Sequence, residues 1–138
     1  MLVRLIEERG VQSIGEETKH GTESIAQRLA KQLGRRYANI EMHLTERQAK
    51  DIPAGYADEG TPFPPKEIAK RHKAREEYMF EKTIELFGGA ESILILCGRE
   101  HAEALARLFR NAGHTVDTYD VNEESWYIDD WAKHLLGS

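Results

Sequence analysis

Cysteine is almost absent from this chain: Cys97 is the only one in 138 residues. A single thiol excludes an internal disulfide and any zinc site built on several cysteines. Long apolar runs are missing too. The longest, Ile93-Leu94-Ile95-Leu96-Cys97, is far too short to cross a bilayer. The amino-terminal region has no apolar stretch of signal-peptide length followed by small residues. The sequence therefore predicts a soluble, cytoplasmic protein with no membrane partner. Proline is scarce and confined, with all four residues (Pro53, Pro62, Pro64 and Pro65) in one short stretch. Positive charge is not in excess either. Nineteen Lys and Arg face 24 Asp and Glu, giving a net charge of −5 and a pI near 5.7. That balance argues against wrapping duplex nucleic acid, which depends on neutralising phosphates.

What is present is enough apolar material, 40% of the residues, for one core in a single domain spanning 1–138. Leu2, Leu5 and Ile6 are spaced as a helix closed by Gly10, so the chain opens directly into a helix, and Val11–Ile14 reads as a strand. Ile25, Leu29 and Leu33 mark a second helix, opened by Ser24-x-x-Gln27 and closed by Gly34. Tyr37–Met42 reads as a strand, and Thr45-x-x-Gln48 opens a short helix to about Asp51. Residues 52–65 form a Pro- and Gly-rich loop, read as a lid or crossing segment. Lys66–Phe87 is a long helix whose second half, with Met79, Phe80, Ile84, Leu86 and Phe87, is expected to be packed. Ser92–Cys97 is apolar without alternation, as in a central parallel strand covered on both faces. A helix through Leu105 and Phe109 to Gly113, an edge strand at Thr115–Val121 and a carboxy-terminal helix with Trp126, Ile128, Trp131 and Leu135 complete the pattern. Strands alternating with helices predict a three-layer α/β fold: a mostly parallel sheet of about four strands with helices on both faces.

Parallel sheets of this kind bind ligands beyond the carboxyl ends of their strands. Three predicted strand ends carry polar chemistry: Glu16-Glu17, Glu41-Met42-His43 and Cys97-Gly98-Arg99-Glu100-His101. Glu16 and Glu17 can bind a metal or move a proton, or simply flank the following helix as acidic residues favoured by its dipole. His101 falls in the first turn of a helix, where the dipole lowers an imidazole's proton affinity, as a metal ligand or general base requires. Glu41 and His43, two apart, share one face of an extended strand and offer a further metal pair. His20 is a weaker candidate for the same crevice, and His114 falls at the opposite edge. Cys97 reads as a small buried apolar residue. Within the basic run from Lys70 to Arg75, Arg75 shares a helix face with Met79 and can hold an anionic group or stabilise an oxyanion.

A strand ending in Glu-Glu, a helix carrying Arg-Glu-x-x-Met and a strand ending in Gly-x-x-His together resemble the superfamily of the Tiki/TraB proteins, the erythromycin esterases and the ChaN-like haem-binding lipoproteins. Among them, small bacterial members are the most similar. The resemblance spans roughly residues 1–121 and places Glu16 and Glu17 at the acidic strand end, Arg75 as the helical arginine, and Gly98 and His101 in the second histidine motif. It implies an α/β fold and hydrolase chemistry, metal-dependent in the Tiki proteins. The family's first histidine motif lies on a strand preceding the first helix, and this chain begins at that helix. The expectation is therefore a chain lacking that strand and its histidine.

Two readings follow. In the first, the chain is a metal-dependent or metal-assisted hydrolase, or a degenerate relative, acting on a small-molecule or peptide substrate. Glu16, Glu17, Arg75 and His101 form its catalytic set. Glu17, His101, Glu41 and His43 are its metal candidates for Mn²⁺, Zn²⁺ or Co²⁺, with Tyr78 close by. In the second, it is a non-catalytic binding or regulatory module that forms a homodimer through an unpaired sheet edge. A nucleotide-handling module is disfavoured by the lack of a Gly-x-x-x-x-Gly-Lys loop.

Overall fold

The computed structural model describes residues 2–18, 21, 23–42, 64–90 and 92–119. Helix α1 covers Leu2–Glu8, strand β1 Ser13–Glu16, helix α2 Ile25–Gln32, strand β2 Arg36–Asn39, helix α3 Pro65–Phe87, strand β3 Ile93–Leu96 and helix α4 Arg99–Asn111. The short helix expected from Thr45, most of the 52–65 loop, the carboxy-terminal helix, His20 and His43 lie outside the described residues.

Local chemistry explains the boundaries. Ser24 caps α2, its hydroxyl accepting the Gln27 N–H at 3.0 Å. Pro65 starts α3 at the first helical position, where a missing N–H costs nothing. Gly34 after α2 and Gly113 after α4 take φ of 70° and 94°, left-handed values that end a helix cleanly on glycine.

The three strands are all parallel, in the order β2-β1-β3. Their register is level, with Glu16 opposite Asn39 on one side and Leu96 on the other, so all three carboxyl ends share one edge. Helices α1 and α2 cover one face, packing Leu2, Ile6 and Leu29 against Ile14, Leu94 and Leu96. Helices α3 and α4 cover the other, packing Met79, Leu105 and Phe109 against Ile40, Ile95 and Cys97. Phe80 and Phe109 meet edge to face, 4.9 Å between centroids. Each fully buried Leu or Ile in these layers contributes about 1.5–3 kcal/mol relative to exposure. The α/β sandwich predicted from the alternation of elements is thus what forms.

Three expectations need correction. The described residues contain three strands, not about four. The segment expected as the fourth carries no strand pairing up to Tyr119. It is held instead by side chains: Arg9 pairs with Asp117 at 2.8 Å, and Arg110 donates to the Val116 carbonyl at 3.0 Å. Among the described residues β3 lies at an edge of the sheet and β1 in the middle. The uninterrupted apolar run of β3 reports helices on both faces, and its residues stay partly exposed along the edge. On α3, Met79 and Phe87 are buried, but Ile84 and Leu86 turn outward.

Gly15 lies at the centre of β1 beneath α3 and α4. A Cβ there would sit 3.1 Å from Ile95 Cδ1 and 3.2 Å from Ile40 Cγ2. Gly15→Val is expected to destabilise the fold by about 1–3 kcal/mol through overpacking. Gly89→Ala, which meets nothing within 4 Å, should stay within about 0.5 kcal/mol of wild type. Urea unfolding of both variants checks this, and equal effects would refute the packing account.

Candidate functional site

In the order β2-β1-β3, the chain leaves β1 to one side and returns to the other. The junction of β1 and β3 is therefore the switch point at which open α/β sheets bind ligands. The site lies there. Glu17 is the first residue beyond β1. Its N–H extends the ladder to the Leu96 carbonyl at 2.8 Å, and its Oε1 accepts the Gly98 N–H at 2.8 Å. Gly98 caps the amino terminus of α4, whose dipole favours a carboxylate.

Arg75 reaches in from α3. Its Nη2 donates to Glu17 Oε2 at 2.8 Å and to Glu41 Oε2 at 2.7 Å, and its Nε donates to Glu41 Oε1 at 3.3 Å. Glu41 is steadied in turn: its N–H donates to Asn39 Oδ1 at 2.9 Å, and the Asn39 amide donates to the Thr18 carbonyl at 3.0 Å. Burial works against the charge on Arg75, but Glu41 and Glu17 outweigh it and raise its pKa.

His101 on α4 is fully buried. Its Nδ1 lies 2.8 Å from Oε2 of Glu76, a buried carboxylate on α3. Its Nε2 lies 3.2 Å from Glu17 Oε2 and 3.6 Å from Glu100 Oε1, yet without the alignment of a hydrogen bond. We read the Glu17 contact as charge attraction without a directed bond. Burial alone would lower the His101 pKa, but Glu17 and Glu76 together push it up to about 8. The imidazole is therefore not the neutral one expected from the helix dipole, because two carboxylates within contact outweigh a partial charge. Burial likewise raises Glu17, and His101, the Gly98 N–H and Arg75 overcome it, bringing the carboxyl down to about 2.

Glu17, Arg75, His101 and Glu41 thus come together. Glu16 does not. Successive strand residues face opposite ways, and Glu16 turns toward α2, where it accepts from the hydroxyls of Ser24 and Tyr37. There it ties the start of α2 to β2, and burial with the Glu16 hydrogen bond raises the Tyr37 pKa. β2 ends at Asn39, so Glu41 lies beyond the strand, not on its face. Arg75 holds two carboxylates in place through its Nε and Nη2. Burial pushes the Cys97 thiol up to about 12, with Glu17, Glu100 and Glu76 adding to it, so it is no nucleophile at neutral pH. Tyr78 is half-buried, and His114 is exposed against the Phe109 ring.

Two residues were missed from the sequence. His72 packs its ring edge-on to His101, 4.9 Å between centroids, and Glu76 bonds His101 directly. His72, Glu76 and His101 bring ligand atoms within 4.8 Å of one another and could hold a metal ion. The available signal was the spacing: 72, 75, 76 and 79 form one helical face, masked by neighbouring surface charges.

A concavity of about 580 Å³ lies at the other end of the strands, lined by Gly10, Gly34, Arg35, Arg36 and Gly89 among others. The carboxyl ends of α1, α2 and α3 gather there, and the two arginines complement those dipoles. It contains none of the titratable cluster. No helix among the described residues is long and apolar enough to cross a membrane. No known protein family, curated protein or solved structure matches this chain.

The Glu17–His101 contact links stability to pH. His101 is raised from 6.5 to about 8, so its contribution is full below 6.5 and lost as pH rises through about 8. Glu17 is lowered from 4.5 to about 2, so its contribution is full above 4.5 and lost as pH falls toward about 2. The two shifts describe one shared interaction and do not add. The alkaline loss is expected to be on the order of 1–2 kcal/mol, read from urea unfolding at about pH 6 and about pH 9. His101→Gln should flatten that difference, and a wild-type profile already flat would contradict the contact.

Proposed function

We propose that this chain is a metal-assisted hydrolase, or a relative that retains the site, acting on a small-molecule or peptide substrate. The observation that carries this reading is the convergence of Glu17, Arg75, Glu76 and His101 at the switch point, from the end of β1, from α3 and from α4. The resemblance of Glu17, Arg75, Gly98 and His101 to the motifs of the Tiki/TraB and erythromycin esterase superfamily supports it. The single thiol suits a reducing cytoplasm.

A divalent ion such as Mn²⁺, Zn²⁺ or Co²⁺, held by His101 with Glu76 and His72, would supply Lewis acidity to the scissile group. That set fits an ion because two imidazoles and a carboxylate bring ligand atoms within 4.8 Å of one another, with Glu76 and His101 buried. Glu17 is the proton carrier. The groups that hold its proton affinity down are led by His101. Loss of the His101 charge removes the first of them, while burial continues to raise that affinity, which makes Glu17 a better base for water. Gly98 and Arg75 keep its two oxygens in place, so little reorganisation is needed during proton transfer.

Glu17→Gln is expected to lower kcat/KM by at least about 100-fold on a panel of esters, amides and peptides assayed with each of the three ions. Glu16→Gln, on the other face, should leave the rate and cost about 1–3 kcal/mol of stability. Activity on no member of the panel, or equal rate losses from both variants, would sink the hydrolase reading.

A second reading, a non-catalytic module that dimerises, draws on β3, an apolar strand at an edge among the described residues. Light scattering that finds only monomer at high concentration would remove it.

A further inference from the structure

The geometry points to a two-histidine, one-carboxylate site for a first-row transition ion that joins α3 to α4, with His72 and Glu76 as ligands beside His101. This rests on the metal part of the preceding reading but not on hydrolysis.

Charge favours a cation here. Glu17 and Glu76 have side chains only 9% and 10% exposed and flank the fully buried His101 ring. Buried carboxylates are unfavourable without positive charge beside them, and a bound divalent ion supplies it.

Commitment of the other groups selects the ligands. Both Glu41 oxygens receive Arg75, and the two Glu17 oxygens receive Arg75 and the Gly98 N–H. Neither carboxylate is available without breaking those bonds. Among the described residues, Glu76 bonds His101 and the ring of His72 packs on the ring of His101. His72 and Glu76 are four residues apart on α3, which sets both side chains on one helical face. His101 comes from the facing helix, and all three present ligand atoms within 4.8 Å of one another. Glu17, on the far side of the His101 ring, then acts as the outer carboxylate that orients a ligating imidazole.

The donor set defines the ion. Two imidazoles and one carboxylate suit Zn²⁺, Co²⁺ or Fe²⁺ and discriminate against Mg²⁺ and Ca²⁺, which prefer all-oxygen shells. Three protein ligands also leave coordination positions for an exchangeable group, the arrangement of reactive sites as opposed to closed structural ones.

Titration calorimetry of the full chain with Zn²⁺, Co²⁺, Mg²⁺ and Ca²⁺, without substrate, tests this. One Zn²⁺ or Co²⁺ per chain is expected, with an upward Tm shift of about 10 °C at a hundredfold excess over Kd. His72→Ala and Glu76→Gln should each weaken binding by more than about 100-fold, and Glu41→Gln by less than about tenfold. Far-UV circular dichroism verifies folding, and His72→Gln replaces His72→Ala if the smaller side chain disturbs the helix. Absence of Zn²⁺ and Co²⁺ binding, equal affinity for Mg²⁺, or binding that survives loss of His72 but not of Glu41 would each overturn the proposal. Metal binding without hydrolysis would sink only the hydrolase reading. Hydrolysis without metal binding would sink this proposal and the metal part of the preceding reading, leaving hydrolysis standing.

Discussion

The Glu17 carboxylate sits where four parts of the chain meet. One oxygen takes the N–H of Gly98 at the start of α4, and the other takes Arg75 from α3 and faces His101 on α4. Through Arg75 the same charge reaches Glu41 beyond β2. An anion this enclosed is tolerable only because every neighbour offsets its desolvation. Removing one partner from a buried pair of this kind typically costs about 3–5 kcal/mol. The positions of α3 and α4 over the carboxyl edge of the sheet are therefore tied to one side chain, while apolar packing sets only their general placement.

The site is built where it is for reasons of topology. With β1 in the middle and its neighbours reached in opposite directions, the chain separates beyond β1 and β3, leaving the amino terminus of α4 facing the gap. That terminus supplies an N–H and a favourable dipole for Glu17. The opposite edge collects helix carboxyl ends and two arginines, and carries no comparable constellation. The sheet thus presents two chemically distinct ends.

Much of this was legible from residue order. Alternating strands and helices imply a parallel sheet. The strand-end rule alone places Glu17, Glu41 and His101 on one edge, and a helical face with Arg75 was a sound candidate to cover it. Which of the two glutamates joins the cluster was not legible. Glu16 and Glu17 differ by one position, and which of them faces α3 depends on strand register, which shifts every side chain to the other face when moved by one residue. Apolar composition records how many faces of a strand are covered, not how many neighbours it has, so the place of β3 in the sheet was not legible from its residues. His72 and Glu76 were overlooked because Lys70, Lys73 and Glu77 around them are exposed, which makes the segment resemble a solvated helix surface.

By itself, the sequence determined the layered α/β class, the parallel sense of the sheet and the edge at which polar groups collect, because those follow from local periodicity and from the alternation of elements. Only the tertiary structure decided that Glu16 faces α2 while Glu17 faces α3 and α4, that Arg75 is held by two carboxylates, and that His101 lies between Glu17 and Glu76, which raise its pKa. Each of these depends on distances of about 3 Å between residues far apart in the chain, and no pattern along one segment encodes the approach of another.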